Sequence, residues 1–84
     1  MLSIQKSIED FLVTEPDLAY GRTAIDQDEL LIEGGLIDSL GILKLIAFLE
    51  EQYNLSFEEE DITAENFATI NRIVDLVQKR GKSG

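Results

Sequence analysis

Three segments of this chain place apolar residues at helical spacing, and this pattern restricts the possible folds more than any other feature of the sequence. No run alternates apolar and polar residues with the β-branched enrichment of a strand, so we predict no sheet. The 84 residues suit one domain, which we assign to residues 1–84 with an ordered core over about 3–80. We therefore expect an all-α fold, a small four-helix bundle with three main helices, one short helix and a long loop between helices 1 and 2.

The first helix is predicted to begin after Ser3, whose side chain is a good N-cap. Its apolar stripe repeats at i, i+4, i+7 and i+8 and consists of Ile4, Ile8, Phe11 and Leu12. Pro16 disfavours helical geometry at Glu15, so the helix should end near Thr14.

The connection from Glu15 to Asp38 is longer than the roughly 12–15 residues that are usual for an unstructured loop. Gly34-Gly35 predicts a turn within it, and Asp26–Leu31 is compatible with a short helical turn. Its apolar residues indicate that it is anchored to the core, and they are Leu30, Leu31, Ile32, Leu36 and Ile37.

The second helix is predicted from Ser39 to about Tyr53, with Asp38 as its N-cap. One face is apolar and should be buried, and it consists of Ile42, Leu45, Ile46, Leu49 and Tyr53. The opposite face is mixed, with Leu40, Lys44, Ala47 and Glu51 at its centre and Leu43 and Phe48 at its flanks. This sparsely charged outer face is either a contact surface, which we favour, or a set of scattered exposed hydrophobic residues.

The remaining segments complete the bundle. The acidic run Glu58–Asp61 predicts a solvated loop or the start of a helix, and a short third helix is expected over Ala64–Phe67. Thr69 should cap the last helix, whose apolar stripe consists of Ile70, Ile73, Val74 and Val77. Five apolar residues would either pack the core, which we favour, or line space for a bound chain: Leu45, Ile46, Leu49, Ile62 and Ile73.

The composition excludes several kinds of chemistry. The chain has no cysteine and no histidine, hence no disulfide, no thiolate nucleophile and no imidazole general base. Seventeen acidic residues against seven basic ones give a formal net charge of −10. That charge argues against binding nucleic acid or an anionic membrane and favours basic protein partners. Because the carboxylates lie in solvated runs, where nothing would raise a pKa, we expect no catalysis by the chain's own side chains. We favour the absence of a metal site over weak binding of a divalent ion at Glu58–Asp61.

No long apolar run or secretory signal pattern is found, so we expect a cytoplasmic protein with no membrane partner.

Ser39 is the candidate functional residue, because it stands in the first turn of helix 2. A helix N-terminus stabilises a phosphate through its free backbone N–H groups and its dipole, so a serine there suits attachment of a phosphodiester by another enzyme. The alternative is that Ser39 and Asp38 merely cap the helix.

The segment Gly35-Leu36-Ile37-Asp38-Ser39-Leu40 and the helix after it resemble the acyl carrier protein family, in which an Asp-Ser-Leu motif opens the second helix of a four-helix bundle. The resemblance extends from Ile4 to about Val77. It implies that Ser39, flanked by Asp38 and Leu40, receives a 4′-phosphopantetheine arm from coenzyme A through a phosphopantetheinyl transferase. It also implies that the thiol of this arm holds acyl or aminoacyl groups as thioesters for partner enzymes.

Gly41 and Lys44 depart from the members of fatty acid synthesis, which typically carry acidic residues soon after the serine. We therefore expect a free-standing acyl carrier of a specialised or secondary-metabolite pathway rather than of housekeeping fatty acid synthesis. An aminoacyl or peptidyl carrier loaded by an adenylating ligase is the alternative. A cofactor-free acidic helical interaction module is the alternative from another class.

A carrier also needs a recognition surface for the transferase, for an acyl- or aminoacyl-loading ligase and for downstream biosynthetic enzymes. We assign to this surface Leu36, Ile37, Leu43, Lys44, Ala47, Phe48 and Glu51. We expect the carrier to be a monomer that binds no nucleic acid.

Overall fold

The chain forms three α-helices and one short 3₁₀ helix. The computed structural model describes residues 3–15 and 24–81. Helix α1 spans Ile4–Thr14, α2 spans Ser39–Tyr53, the 3₁₀ helix spans Glu59–Asp61 and α3 spans Ile70–Gly81. Helices α1 and α2 both pack against α3, and no strand occurs in the two described ranges. The predicted fold class, an all-α bundle of three main helices and one short helix, is confirmed.

Each α-helix begins at the residue that the sequence predicts, because a polar side chain satisfies a free backbone N–H in its first turn. The side chain of Ser3 accepts a hydrogen bond from the N–H of Lys6 at 3.1 Å. Thr69 accepts in the same way from the N–H of Arg72, also at 3.1 Å. Glu15, after α1, has extended geometry, as predicted, while Pro16 itself lies outside the described residues.

The three helices share one hydrophobic core, to which both connections contribute a large side chain, Leu31 and Phe67. The fully buried side chains of the helices are Ile8, Leu12, Leu45, Leu49, Ile70, Ile73 and Val77. Burying each of these stabilises the fold by about 1.5–3 kcal/mol relative to leaving it exposed. The predicted apolar faces therefore form the core, while five of their residues are only half-buried at its margin: Ile4, Phe11, Ile42, Tyr53 and Val74.

The first connection is fastened to the rest of the chain at Leu31. Its N–H donates to the carbonyl of Ala68 at 2.8 Å, and its own carbonyl accepts from the N–H groups of Leu36 and Ile37 at 2.9 and 3.1 Å. The predicted turn lies inside this closed loop, and Gly35 adopts a φ of +78°, which favours glycine. The segment Asp26–Leu31 contains one hydrogen-bonded turn, from the N–H of Glu29 to the carbonyl of Asp26.

The short helix forms at a different place from the one predicted. Residues 64–67 make only hydrogen-bonded turns, in which the N–H of Phe67 donates to the carbonyl of Thr63 at 3.2 Å. The 3₁₀ helix forms earlier, within the acidic run, because Glu58 and Asp61 cap each other's backbone N–H groups. Phe67 nevertheless anchors the segment to the core, where its ring meets that of Phe57 edge-on at 5.9 Å.

Asp61 is a buried carboxylate that ties the acidic run to the end of α3. Its Oδ1 accepts from Nη2 of Arg80 at 2.9 Å, and its Oδ2 lies 2.6 Å from Nε of the same guanidinium. The N–H of Glu58 also donates to Oδ2, at 2.8 Å. The hydrogen bond from Arg80 is the main cause that lowers the pKa of Asp61, and the same bond raises the pKa of Arg80. Residues 58–60 of the run remain exposed.

Candidate attachment site

Ser39 is the first residue of α2, and its side chain is exposed. Within the described ranges this side chain forms no hydrogen bond, because the capping role belongs to its neighbour Asp38. Oδ1 of Asp38 accepts from the N–H of Gly41 at 2.8 Å, and the Asp38 carbonyl accepts from the N–H of Ile42 at 2.9 Å. The Ser39 hydroxyl is therefore left accessible to an external reagent.

The chain reaches this position by passing from the core to the surface over a few residues. Leu36 and Ile37 are 9% and 4% exposed, whereas Asp38, Ser39 and Leu40 are all exposed. The two buried side chains, with the closed loop at Leu31, fix the backbone just before the helix. Ser39 thus projects from an anchored turn.

The start of α2 suits a phosphate group. The first N–H groups of an α-helix, here those of Ser39 and Leu40, have no partner within the helix and point outward along its axis. Together with the helix dipole they favour negative charge at this end. The exposed hydroxyl of Ser39 adjoins these donors, so the residues present fit a phosphodiester attached there.

The outward face of α2 beside Ser39 is strongly apolar. Leu40 and Leu43 are 60% and 61% exposed, and Ala47, about one helical turn after Leu43, is also exposed. The first turn of the helix contains no acidic residue. The side chain of Lys44 is half-buried, and its ammonium group lies 4.0 Å from the carboxylate of Glu15 at the end of α1.

Two residues predicted to form the partner surface do not present a side chain to solvent. Leu36 and Ile37 are buried, which confirms their predicted role as core anchors of the connection and removes them from the exposed surface. The reverse error occurs at Leu30, which was predicted as an anchor and is 46% exposed, and at the predicted core residue Ile62, which is 42% exposed. Ile62 follows the 3₁₀ helix directly, and the capping of Asp61 turns it outward from the core.

The other predicted surface residues lie along one side of α2. Glu51 is exposed, like Leu43 and Ala47, while Phe48 is half-buried. The ring of Phe48 stacks on that of Phe11 in α1. This cross-helix pair is a feature that the sequence analysis missed, because the periodicity of each helix was considered alone.

The described part of the chain holds no group of three or more acidic side chains arranged to bind a metal ion. No helix within it has the length and apolarity needed to cross a membrane.

Comparison with known proteins gives relatives of one kind. The chain is 32% identical over 79 residues to the acyl carrier protein of Buchnera aphidicola subsp. Baizongia pistaciae, covering 94% of this chain and 96% of that protein. It is 28% identical over 74 residues to the D-alanyl carrier protein of Streptococcus uberis, covering 87% and 94%. It is 33% identical over 58 residues to the probable acyl carrier protein PigG of Serratia sp., covering 69% and 67%.

No model of a known protein family matches the chain. The similarity to the Buchnera protein nevertheless extends over almost the full length of both sequences. An exposed serine at the start of α2, in an all-α bundle with this ancestry, leads to one conclusion. The chain belongs to the acyl carrier protein family.

Proposed function

We propose that this protein is an acyl carrier in which Ser39 is the attachment point of a 4′-phosphopantetheine arm. The observation that carries the proposal is the hydroxyl of Ser39 at the N-terminus of α2, which is exposed and has no hydrogen bond to the part of the chain that the structure describes. When attached, the arm supplies a thiol that can hold an acyl group as a thioester. The residues of the chain supply the anchored turn, the helix N-terminus that accommodates the phosphate and the surface that partner enzymes contact.

We place activation of Ser39 in a separate enzyme, a phosphopantetheinyl transferase that uses coenzyme A. The chain has no histidine or cysteine, and the carboxylate of the adjacent Asp38 is occupied as the cap of Gly41. A serine hydroxyl without a positioned base is a weak nucleophile. The protein then acts as a covalently loaded substrate of other enzymes and not as a catalyst.

The partner surface of this carrier consists of the exposed side of α2. We assign to it Leu40, Leu43, Lys44, Ala47, Phe48 and Glu51, and we leave out Leu36 and Ile37, whose burial assigns them to the core. Exposed leucines beside the attachment point favour apolar contact with a partner, and the net charge of −10 favours steering towards basic partners such as the loading ligase and downstream biosynthetic enzymes. Most of the described acidic residues lie off this surface, so charge acts at long range and apolar contact acts at short range.

A specialised pathway, such as secondary metabolism, is our assignment for this carrier. Two positions soon after Ser39 support it, because Gly41 is buried and uncharged and Lys44 is basic. The similarity to the probable acyl carrier PigG is in keeping with this assignment. An aminoacyl carrier loaded by an adenylating ligase is the second candidate, and the similarity to a D-alanyl carrier protein favours it.

Intact mass spectrometry tests the attachment. The purified chain is incubated with coenzyme A, magnesium and a promiscuous phosphopantetheinyl transferase, and we expect a gain of one phosphopantetheine group. Ser39→Ala should gain nothing, whereas the matched control Ser56→Ala, at another exposed serine, should gain as much as the wild type. An unchanged wild-type mass would favour a cofactor-free interaction module, and a gain in Ser39→Ala would place the attachment elsewhere.

The loaded chain then distinguishes the two cargoes. It is offered to a promiscuous amino-acid-adenylating ligase with ATP and amino acids, and separately to an acyl-adenylating ligase with ATP and fatty acids. Thioester formation with the fatty acids alone supports the acyl carrier. Formation with amino acids alone supports the aminoacyl carrier.

A further inference from the structure

A groove runs between α1 and α2, on the side of α2 that Phe48 occupies. Its floor is the stacked pair of Phe11 and Phe48, whose ring centroids are 4.3 Å apart with an interplanar angle of 16°. Both rings are half-buried, so part of each remains accessible. Open clefts of about 410 and 310 Å³ adjoin the pair on either side, and Gln52 borders both. We call this feature the α1–α2 groove.

The lining of the groove suits contact with a side chain from another protein. Both clefts are shallow and largely open to solvent, so they would contact a protruding side chain rather than enclose a small ligand. Ala47 leaves room on one wall and Thr14 on the other. Half-exposed aromatic rings with small neighbours are characteristic of the anchoring pockets of protein interfaces.

The charges around the groove favour a basic partner. Among residues 3–15 and 24–81, two lysines near the groove each have a carboxylate partner, since Lys44 lies 4.0 Å from Glu15 and Lys6 lies 3.3 Å from Asp10. The exposed carboxylate of Glu51, on the wall of the larger cleft, adds negative charge beyond these pairs. A second copy of this chain would bring a further charge of −10 and would be repelled.

We propose that the α1–α2 groove docks an apolar side chain carried on a basic, amphipathic helix of a partner enzyme. The inference rests on the proposed function and extends the partner surface from α2 onto α1. Phe48 follows Ser39 by nine residues, which corresponds to about 13 Å along the axis of α2. A partner held in the groove therefore leaves Ser39 and the leucines beside it free for another contact.

The test is an NMR titration of the unmodified chain, so it does not depend on loading of Ser39. The probe is an amphipathic helical peptide of leucine, lysine and one tryptophan, about 18 residues or five turns long. A control peptide of equal length and charge has serine in place of leucine and tryptophan. We expect the first peptide to shift the amide signals of Phe11, Thr14 and Ala47–Gln52, and the control peptide to shift none of them.

Two pairs of exposed substitutions locate the contact. Ala47→Gln fills the groove, while its control Ala64→Gln makes the same exchange at an exposed position between the 3₁₀ helix and α3. Glu51→Lys inverts a charge in the groove, while Glu60→Lys makes the same change in net charge on the 3₁₀ helix. We expect the two groove variants to raise the Kd at least about fivefold, roughly 1 kcal/mol, and the two controls to change it less than about twofold.

Three results would overturn the proposal. An equal increase in the Kd for Glu51→Lys and Glu60→Lys would show that the basic peptide is attracted by the overall negative charge of the chain and not by the groove. A higher Kd for a further variant on the partner surface, Leu43→Gln, without an effect of Ala47→Gln would place the contact beside Ser39. If the peptide shifts no amide signal of the groove residues, the groove does not bind it and the proposal is wrong. Failure of the proposed function would appear separately, as the absence of a mass gain at Ser39.

Discussion

Replacing Asp38 by alanine should destabilise α2 at the end that carries Ser39. The carboxylate of Asp38 accepts a hydrogen bond of 2.8 Å from the N–H of Gly41, and alanine leaves that donor without its partner. Loss of an N-cap acceptor costs about 1 kcal/mol, within a range of roughly 0.5–2 kcal/mol. Asp38→Asn keeps an oxygen acceptor and removes only the charge, so it should lose less than about half of that amount.

Urea unfolding of the unmodified chain, followed by far-UV circular dichroism at neutral pH, measures this difference. A small domain has a denaturant slope near the lower end of about 1–3 kcal/mol per molar, so a loss of 1 kcal/mol lowers the midpoint by up to about 1 M. The control is Asp75→Ala, which removes an exposed carboxylate from α3 and should change the free energy of unfolding by less than about 0.5 kcal/mol. The cap is refuted as the cause if Asp38→Ala keeps the wild-type midpoint, or if Asp38→Asn loses as much as Asp38→Ala.

Three further substitutions test other parts of the fold. Gly35→Ala should lower the free energy of unfolding by about 1–2 kcal/mol in the same urea assay, because the positive φ disfavours alanine while no atom lies near the added Cβ. Gly35→Asn should cost less, since asparagine tolerates a positive φ better. Equal losses for the two variants would contradict this reasoning. Leu45→Ala in the core should cost about 2–5 kcal/mol, and Leu43→Ala on the surface should cost less than about 0.5 kcal/mol, so similar losses would contradict the assigned burial. Arg80→Gln should lower the Tm at pH 7. The ion pair with Arg80 lowers the pKa of Asp61 in the folded state. Its contribution to the free energy of unfolding is therefore present above the unfolded-state pKa of about 4 and is lost as the pH falls through the folded-state pKa. Thermal melts from pH 7 to pH 3 should therefore show the two proteins converging in acid, and a constant difference in Tm would count against the pair.

The α-helices could be predicted from the sequence because their signals are local. A polar cap at Ser3, Asp38 or Thr69 followed by an apolar stripe needs no knowledge of the rest of the chain. The candidate serine could be found in the same way, since it adjoins one of these caps. The exposure of Ser39 does not follow from the cap alone, since Gly41 in the same turn is buried.

The connections could not be predicted, because contacts distant in sequence determine them. The pairing of Asp61 with Arg80 joins residues 19 apart and places the short helix in the acidic run. The apolar residues Leu36 and Ile37 were predicted both as core anchors and as part of the partner surface, and only the contacts of Leu31 with Ala68, Leu36 and Ile37 decide in favour of the core. The stacking of Phe11 on Phe48 likewise depends on how α1 and α2 are brought together.

The closed loop at Leu31 also bears on how a cargo could travel. Its carbonyl holds the backbone of Leu36 and Ile37, so the polypeptide just before Ser39 is braced against the core. Large displacements of a tethered group would then arise from rotation about the single bonds of the serine side chain and of the tether. The protein would serve as a fixed pivot, and the reach of the cargo would be set by the length of the tether.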